Sequence, residues 1–338
     1  MFTLTLIEKC LSIIIVNVKR LQMYVEKIKM KGFEDTMKQI ELNGIIVPIL
    51  TPMNEDESIN LEELRAQVER MIENGIHGIF PFGTNGEGYI LTGEEKKLVL
   101  ETVIDQVNGR VPVYAGTGCI STKETIEQSK MAQAAGADVL SIITPSFAAA
   151  SQDELYTHYE TVAKAVDMPI VLYNIPARTG NALTPATVAR LAQIENIIGA
   201  KDSSGNFTNI LGYIDAGKQK QNGQFYTLSG NDQLIIWTLL AGGTGGIAGC
   251  ANVYPKTMAS IYNLFKEGKI EEAKKANESI QSFRACFKYG NPNTIVKTAT
   301  RLLGHNVGAC RAPFNQVPQA GIDALKKVLE ENKEKGMC

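Results

Sequence analysis

A lysine at position 201 closes the apolar part of the run NIIGAKDSSG, residues 196–205. The residues before it, Ile197, Ile198, Gly199 and Ala200, have the length and composition of a buried parallel strand. The Ser and Gly residues after it break that pattern. When parallel strands close into a barrel, their C-terminal ends form the mouth at which chemistry is done. A lysine facing such a mouth is partly desolvated, which disfavours the ammonium form and leaves a neutral amine. That amine can attack a carbonyl and form a Schiff base. A solvated lysine at the start of a loop fits the same run, so the neighbouring segments have to decide.

Other chemically capable residues follow further short apolar runs. They are GTNGEG (83–88), TPSF (144–147), YNIPARTG (173–180), SGND (229–232) and GGIAG (245–249). Gly83 and Gly86 allow a loop whose backbone amides point at an anion such as a carboxylate, or simply a turn into a helix. Tyr173 can serve as an acid/base over an imine, or fill a half-buried core position. Arg178 can fork onto a carboxylate, or sit on the surface as a loop charge. Gly242, Gly243, Gly245, Gly246 and Gly249 raise the question of phosphate. No GxGxxG or GxxxxGK[ST] accompanies them, which argues against a nucleotide site.

The elements that must position these residues are legible from residue 43 onward. Eight apolar runs read as strands: 45–50, 77–82, 111–115, 138–143, 169–173, 196–200, 225–229 and 244–249, the last being the weakest. Amphipathic stretches lie between them. Leu61, Leu64, Val68, Met71 and Ile72 share one helical face within 61–74. Thr92 with Glu95 makes a capping box, and Ser121, Asp153 and Thr184 open further helices. Gly75, Gly136 and Gly268 read as stops. Eightfold strand–helix alternation predicts an α/β fold, a (β/α)8 TIM barrel, with an open doubly wound sheet as the competing arrangement. Residues 1–38 lack the pattern and read as an extension outside the fold. The barrel is assigned to 39–265, and a C-terminal helical region to 266–338.

Composition narrows the function. The chain has 338 residues, a net charge of −2 and no basic block, which argues against a nucleic-acid partner. The six cysteines show no paired spacing and read as reduced thiols of a cytoplasmic protein. His77, His158 and His305 form no metal-binding pattern, so no metal is expected. The apolar run within residues 2–18 is interrupted by Glu8 and Lys9. It is too short to span a membrane and lacks the flanks of a signal peptide.

Taken together, GTNGEG, YNIPARTG, IIGAKDSSGN, SGND and the late RAP at 311–313 make residues 40 to 315 resemble the dihydrodipicolinate synthase / N-acetylneuraminate lyase family of pyruvate-handling class I aldolases. The resemblance implies a TIM barrel with a C-terminal helical domain, assembled as a homotetramer. It implies an imine between pyruvate and Lys201, with no other cofactor. Thr84 and Asn85 match the loop that holds the pyruvate carboxylate, and Tyr173 matches the tyrosine that passes protons. Arg178 matches the arginine that receives the carboxylate of aspartate semialdehyde in the synthase. Gly230 and Ile247 match positions lining the lysine pocket. Two departures stand out. Asn85 replaces a second threonine, and Phe147 stands where the synthase has the tyrosine of a Thr–Tyr–Tyr proton relay. The first reading is the synthase reaction of lysine biosynthesis, joining pyruvate to aspartate semialdehyde. The alternatives are an aldolase for a 2-oxo-3-deoxy sugar acid, an N-acetylneuraminate-type lyase, or a catalytically impaired paralogue that binds a 2-oxo acid.

Overall fold

Short runs of Ile, Val, Leu and Ala, buried on both faces, form the strands of this chain, as expected where helices cover a parallel sheet. The computed structural model describes residues 40–337 apart from 222, so the extension assigned to 1–38 lies outside the described residues. The strands are β1 (Gly44–Val47), β2 (Gly78–Ile79), β3 (Tyr114–Gly116), β4 (Val139–Ile143), β5 (Ile170–Asn174), β6 (Ile197–Asp202), β7 (Tyr226–Ser229) and β8 (Gly245–Ile247). All pair in parallel, in the order β2-β1-β8-β7-β6-β5-β4-β3. The Ile79–Val113 parallel bridge joins the two ends of this order. Pairing of β1 with β8 is what an open doubly wound sheet lacks, and the fold is a TIM barrel. The glycine content that weakened the β8 signal has a packing cause: a Cβ on Gly245 would lie 2.0 Å from the Gly44 carbonyl oxygen of β1.

Helices follow the strands. The first seven are α1 (Leu61–Glu73), α2 (Gly93–Val107), α3 (Thr122–Ala135), α4 (Gln152–Ala165), α5 (Pro176–Thr179), α6 (Pro185–Leu191) and α7 (Phe207–Lys218). Then come α8 (Ile235–Leu240), α9 (Pro255–Lys266), α10 (Ile270–Ser279), α11 (Gln281–Arg284), α12 (Pro292–Leu302) and α13 (Gln319–Glu334). Thr92 and Glu95 form the expected capping box at α2, and Ser121 and Thr184 cap α3 and α6. At α4 the cap is Ser151, in a box with Glu154. Asp153, expected to open that helix, lies in its first turn, where a carboxylate complements the helix dipole. Helix α9 packs on β1, and α10–α13 continue beyond it within one compact unit that begins at Leu42.

The loop after β2 is held by the loop after β1 and by the C-terminal region. Glu87, fully buried, accepts from Lys297 Nζ of α12 at 2.7 Å and from the Arg311 backbone N–H at 2.8 Å. Lys297 also donates to the Thr51 carbonyl at 2.7 Å, and the Thr51 hydroxyl donates to the Gly86 carbonyl at 2.7 Å. The C-terminal helices thereby fix residues 83–88 over the barrel mouth.

Candidate active site

Register decides which side chains meet at the mouth. Tyr173 on β5 is paired with Lys201 on β6, so the two side chains emerge side by side. Lys201 lies within β6, one residue short of its end, and not at the loop start. Both residues are 4% exposed. Lys201 Nζ sits 3.7 Å from the centre of the Tyr173 ring and 5.3 Å from that of Phe80. The Tyr173 and Thr84 hydroxyls share a hydrogen bond of 3.2 Å. Burial pushes the Tyr173 phenol up, but the Lys201 charge and hydrogen bonds from Thr84, Lys201 and Ser203 outweigh it and leave the phenol more acidic than an ordinary tyrosine.

These groups line a cavity of about 180 Å³. Thr84, Asn85, Tyr173, Arg178, Lys201, Gly230 and Ile247, all singled out from sequence, border it. Gly230 is there for space: a Cβ would lie 2.8 Å from Lys201 Cε and 1.9 Å from Ser203 Oγ. Gly249 makes room in the same way for Asn85, whose Nδ2 would lie 2.5 Å from a Cβ. Arg178, on the short α5, is exposed at the rim and donates to Asn291 Oδ1 at 3.0 Å. The arrangement supplies an amine nucleophile, an acidic phenol and two hydroxyls around a space that fits a small 2-oxo acid.

Phe147 is the exception. Its side chain is 98% exposed, its φ is +79°, and it does not border the cavity. Within one chain the Thr84 and Tyr173 hydroxyls touch directly, so no group lies between them.

Several lining residues escaped the sequence reading. Asp232 of SGND is 4% exposed and paired with Arg284 of α11 at 2.6 Å. Nothing in the helical stretch around Arg284 marks it as a site residue, since its place depends on how α11 crosses the mouth. Ser203 was legible as part of KDSSG but was read only as a strand breaker. Asp202, fully buried, accepts from Asn174 Nδ2 at 2.7 Å, Asn209 Nδ2 at 2.6 Å and Ser204 Oγ at 2.6 Å, which anchors the end of β6 beside Lys201. Among the described residues no cluster of three His, Cys, Asp or Glu could hold a metal ion.

The profile of the Dihydrodipicolinate synthetase family matches residues 41–332. This chain belongs to that family. A 4-hydroxy-tetrahydrodipicolinate synthase of Methanopyrus kandleri is 37% identical over 294 residues, covering 86% of this chain and 96% of that protein. A dihydrodipicolinate synthase from Acinetobacter baumannii, solved in complex with pyruvate, superposes with a TM-score of 0.83 at 34% identity, covering 87% of this chain and 99% of that one. YagE of E. coli K12, a prophage protein of the same family also solved with pyruvate, gives a TM-score of 0.83 at 32% identity, covering 88% and 100%. The match spans the whole barrel and most of the C-terminal helices, and the family is one of lyases.

Proposed function

We propose that this chain is a Schiff-base lyase, 4-hydroxy-tetrahydrodipicolinate synthase, that condenses pyruvate with aspartate semialdehyde. The observation that carries the reading is the packing of Lys201, Tyr173 and Thr84 around one small cavity. Lys201 attacks the pyruvate ketone while Thr84 and Asn85 hold the carboxylate. Tyr173 protonates the departing hydroxyl of the carbinolamine. The iminium is an electron sink, so a C3 proton is lost and an enamine forms. The enamine carbon attacks the aldehyde, whose own carboxylate is received by Arg178 at the rim. No cofactor beyond the covalent imine enters these steps. The name of the Methanopyrus kandleri relative and the pyruvate bound in the Acinetobacter baumannii protein support this reading.

The organisation proposed with it is a cytoplasmic homotetramer, each chain divided into a barrel to residue 265 and a helical region from 266. No helix among the described residues is long and apolar enough to cross a membrane. A phenylalanine left 98% exposed on a left-handed backbone supports burial of that segment against a second copy. Phe147 also supports a second reading, cleavage of a 2-oxo-3-deoxy sugar acid, because its ring cannot carry a proton. Borohydride reduction in the presence of pyruvate, read by intact mass and peptide mapping, tests the imine at Lys201. Turnover across a panel of aldehydes then separates the two substrates. An unmodified Lys201 would sink the Schiff-base reading.

A further inference from the structure

Position 147 of this chain lacks a hydroxyl, yet Tyr173 is not short of hydroxyl partners. Thr84 is one. A second hydroxyl on the same cavity is that of Ser203, two residues beyond the lysine and just past the end of β6. Three constraints aim it. The Ser203 N–H donates to the Asn174 carbonyl at 2.8 Å, tying the end of β6 to β5 just past Tyr173. The buried Asp202 grips the Ser204 N–H at 3.0 Å and the Ser204 hydroxyl at 2.6 Å, so the chain turns tightly around position 203. Gly230 leaves open the volume its side chain would take, and Ser203 Oγ fills it beside the Lys201 stem. Ser203 borders the same cavity as Tyr173 and is half-buried, so solvent entering the cavity can reach it. Ser203 is among the groups that hold the Tyr173 phenol down.

We propose that Ser203 is a catalytic proton carrier that links Tyr173 to solvent, replacing the hydroxyl that Phe147 lacks. The inference rests on the pyruvate imine proposed above. When the carbinolamine collapses, its C–O bond breaks, the C=N bond forms, and the oxygen leaves as water with the Tyr173 proton. The phenolate takes the Ser203 proton while the serine oxygen takes one from solvent through cavity water. Loss of a C3 proton from the iminium, giving the enamine, returns one proton along the same line. Protons balance over the two steps, and nothing is oxidised or reduced.

The test compares wild type, Ser203→Ala and Ser203→Thr in two assays. Borohydride trapping with pyruvate reports imine formation, and exchange of pyruvate methyl hydrogens in D2O reports proton transfer. All three proteins are expected to trap pyruvate at Lys201. Ser203→Ala is expected to exchange about 10²-fold more slowly, the lower range for a general acid–base group, and Ser203→Thr within several-fold of wild type. Exchange by Ser203→Ala at the wild-type rate would overturn the proposal. So would a slow Ser203→Thr with a normal melting temperature, since a hydroxyl would then not be what matters. Loss of trapping in Ser203→Ala alone would mean that the serine binds pyruvate and does not carry protons. Failure of wild type to trap pyruvate would instead remove the Schiff-base reading on which the proposal stands.

Discussion

In the proposed reaction Lys201 has one chemical job that no neighbour can take over. It is 4% exposed and lines the cavity with Tyr173 and Thr84, where the proposed imine would form on its Nζ. Lys201→Ala is expected to abolish condensation while leaving the melting temperature near wild type, because the side chain makes its close contacts over ring faces and not in an ion pair. Lys201→Arg should be equally inactive, since a guanidinium stays protonated. Residual turnover above about 1% of wild type in either variant would contradict covalent catalysis. In the proposed reaction Arg178 acts at the rim, on the second substrate. Removing a charge-assisted contact costs about 1.5–3 kcal/mol, or roughly 10- to 150-fold. Arg178→Ala should therefore raise the KM for aspartate semialdehyde by that factor and leave pyruvate trapping intact. Lost trapping with an unchanged aldehyde KM would assign the arginine to pyruvate.

Two buried polar contacts between elements set the second group of expectations. Lys297 of α12 and Glu87 of the loop after β2 are 1% and 0% exposed, and the pair anchors the segment bearing Thr84 and Asn85. Removing one partner leaves an uncompensated buried charge, at about 3–5 kcal/mol. Lys297→Met should lower stability by that order and raise the KM for pyruvate, and adding Glu87→Gln should restore part of the stability. A double variant no more stable than the single, measured by urea unfolding, would show that the charge pair is not the source of the loss. The other contact joins α3 and α4. His158 Nδ1 pairs with the Thr122 hydroxyl at 2.9 Å, and Nε2 is buried without a partner. Burial pushes the imidazole down to about 4, from 6.5 when unfolded. Between those values the unfolded chain binds the extra proton, so stability should fall as pH drops from about 6.5 to about 4. His158→Gln should flatten that part of the stability curve; an unchanged slope would assign the acid loss to other groups.

In the proposed tetramer Phe147 has a different meaning from any it has in a single chain. On one chain its ring is almost fully exposed, so Phe147→Tyr adds a hydroxyl where water can reach it and should leave folding stability within about 0.5 kcal/mol. If a second copy brings the segment to a neighbouring cavity, the new hydroxyl should raise the rate of condensation with aspartate semialdehyde and do little for cleavage of a sugar acid. Sedimentation should give the mass of four copies. A monomer that condenses at full rate would show that each barrel is complete alone.

How much of this was legible before folding depends on the range of the interaction involved. Strand runs, the Thr92–Glu95 box and the stops at Gly75 and Gly136 are local: hydrophobic period, capping hydroxyls and glycine's tolerance of positive φ act within a few residues. Lys201, Tyr173 and Arg178 were legible because they close or follow strand runs, and a closed parallel sheet sends all such ends to one mouth, whereas Thr84, Asn85, Gly230 and Ile247 were legible only through the family resemblance. The helix start at Ser151 was misplaced by two residues because Asp153 also suits a first turn, and only the bond from the Glu154 N–H to the Ser151 hydroxyl distinguishes a cap from a first-turn charge. Arg284, Lys297 and the direction of the Ser203 hydroxyl could not be read. Arg284 pairs across 52 positions and Lys297 across 210, so their partners depend on how the C-terminal helices cross the mouth. Ser203 is aimed by the space above Gly230, a vacancy that exists only once β6 and β7 lie side by side.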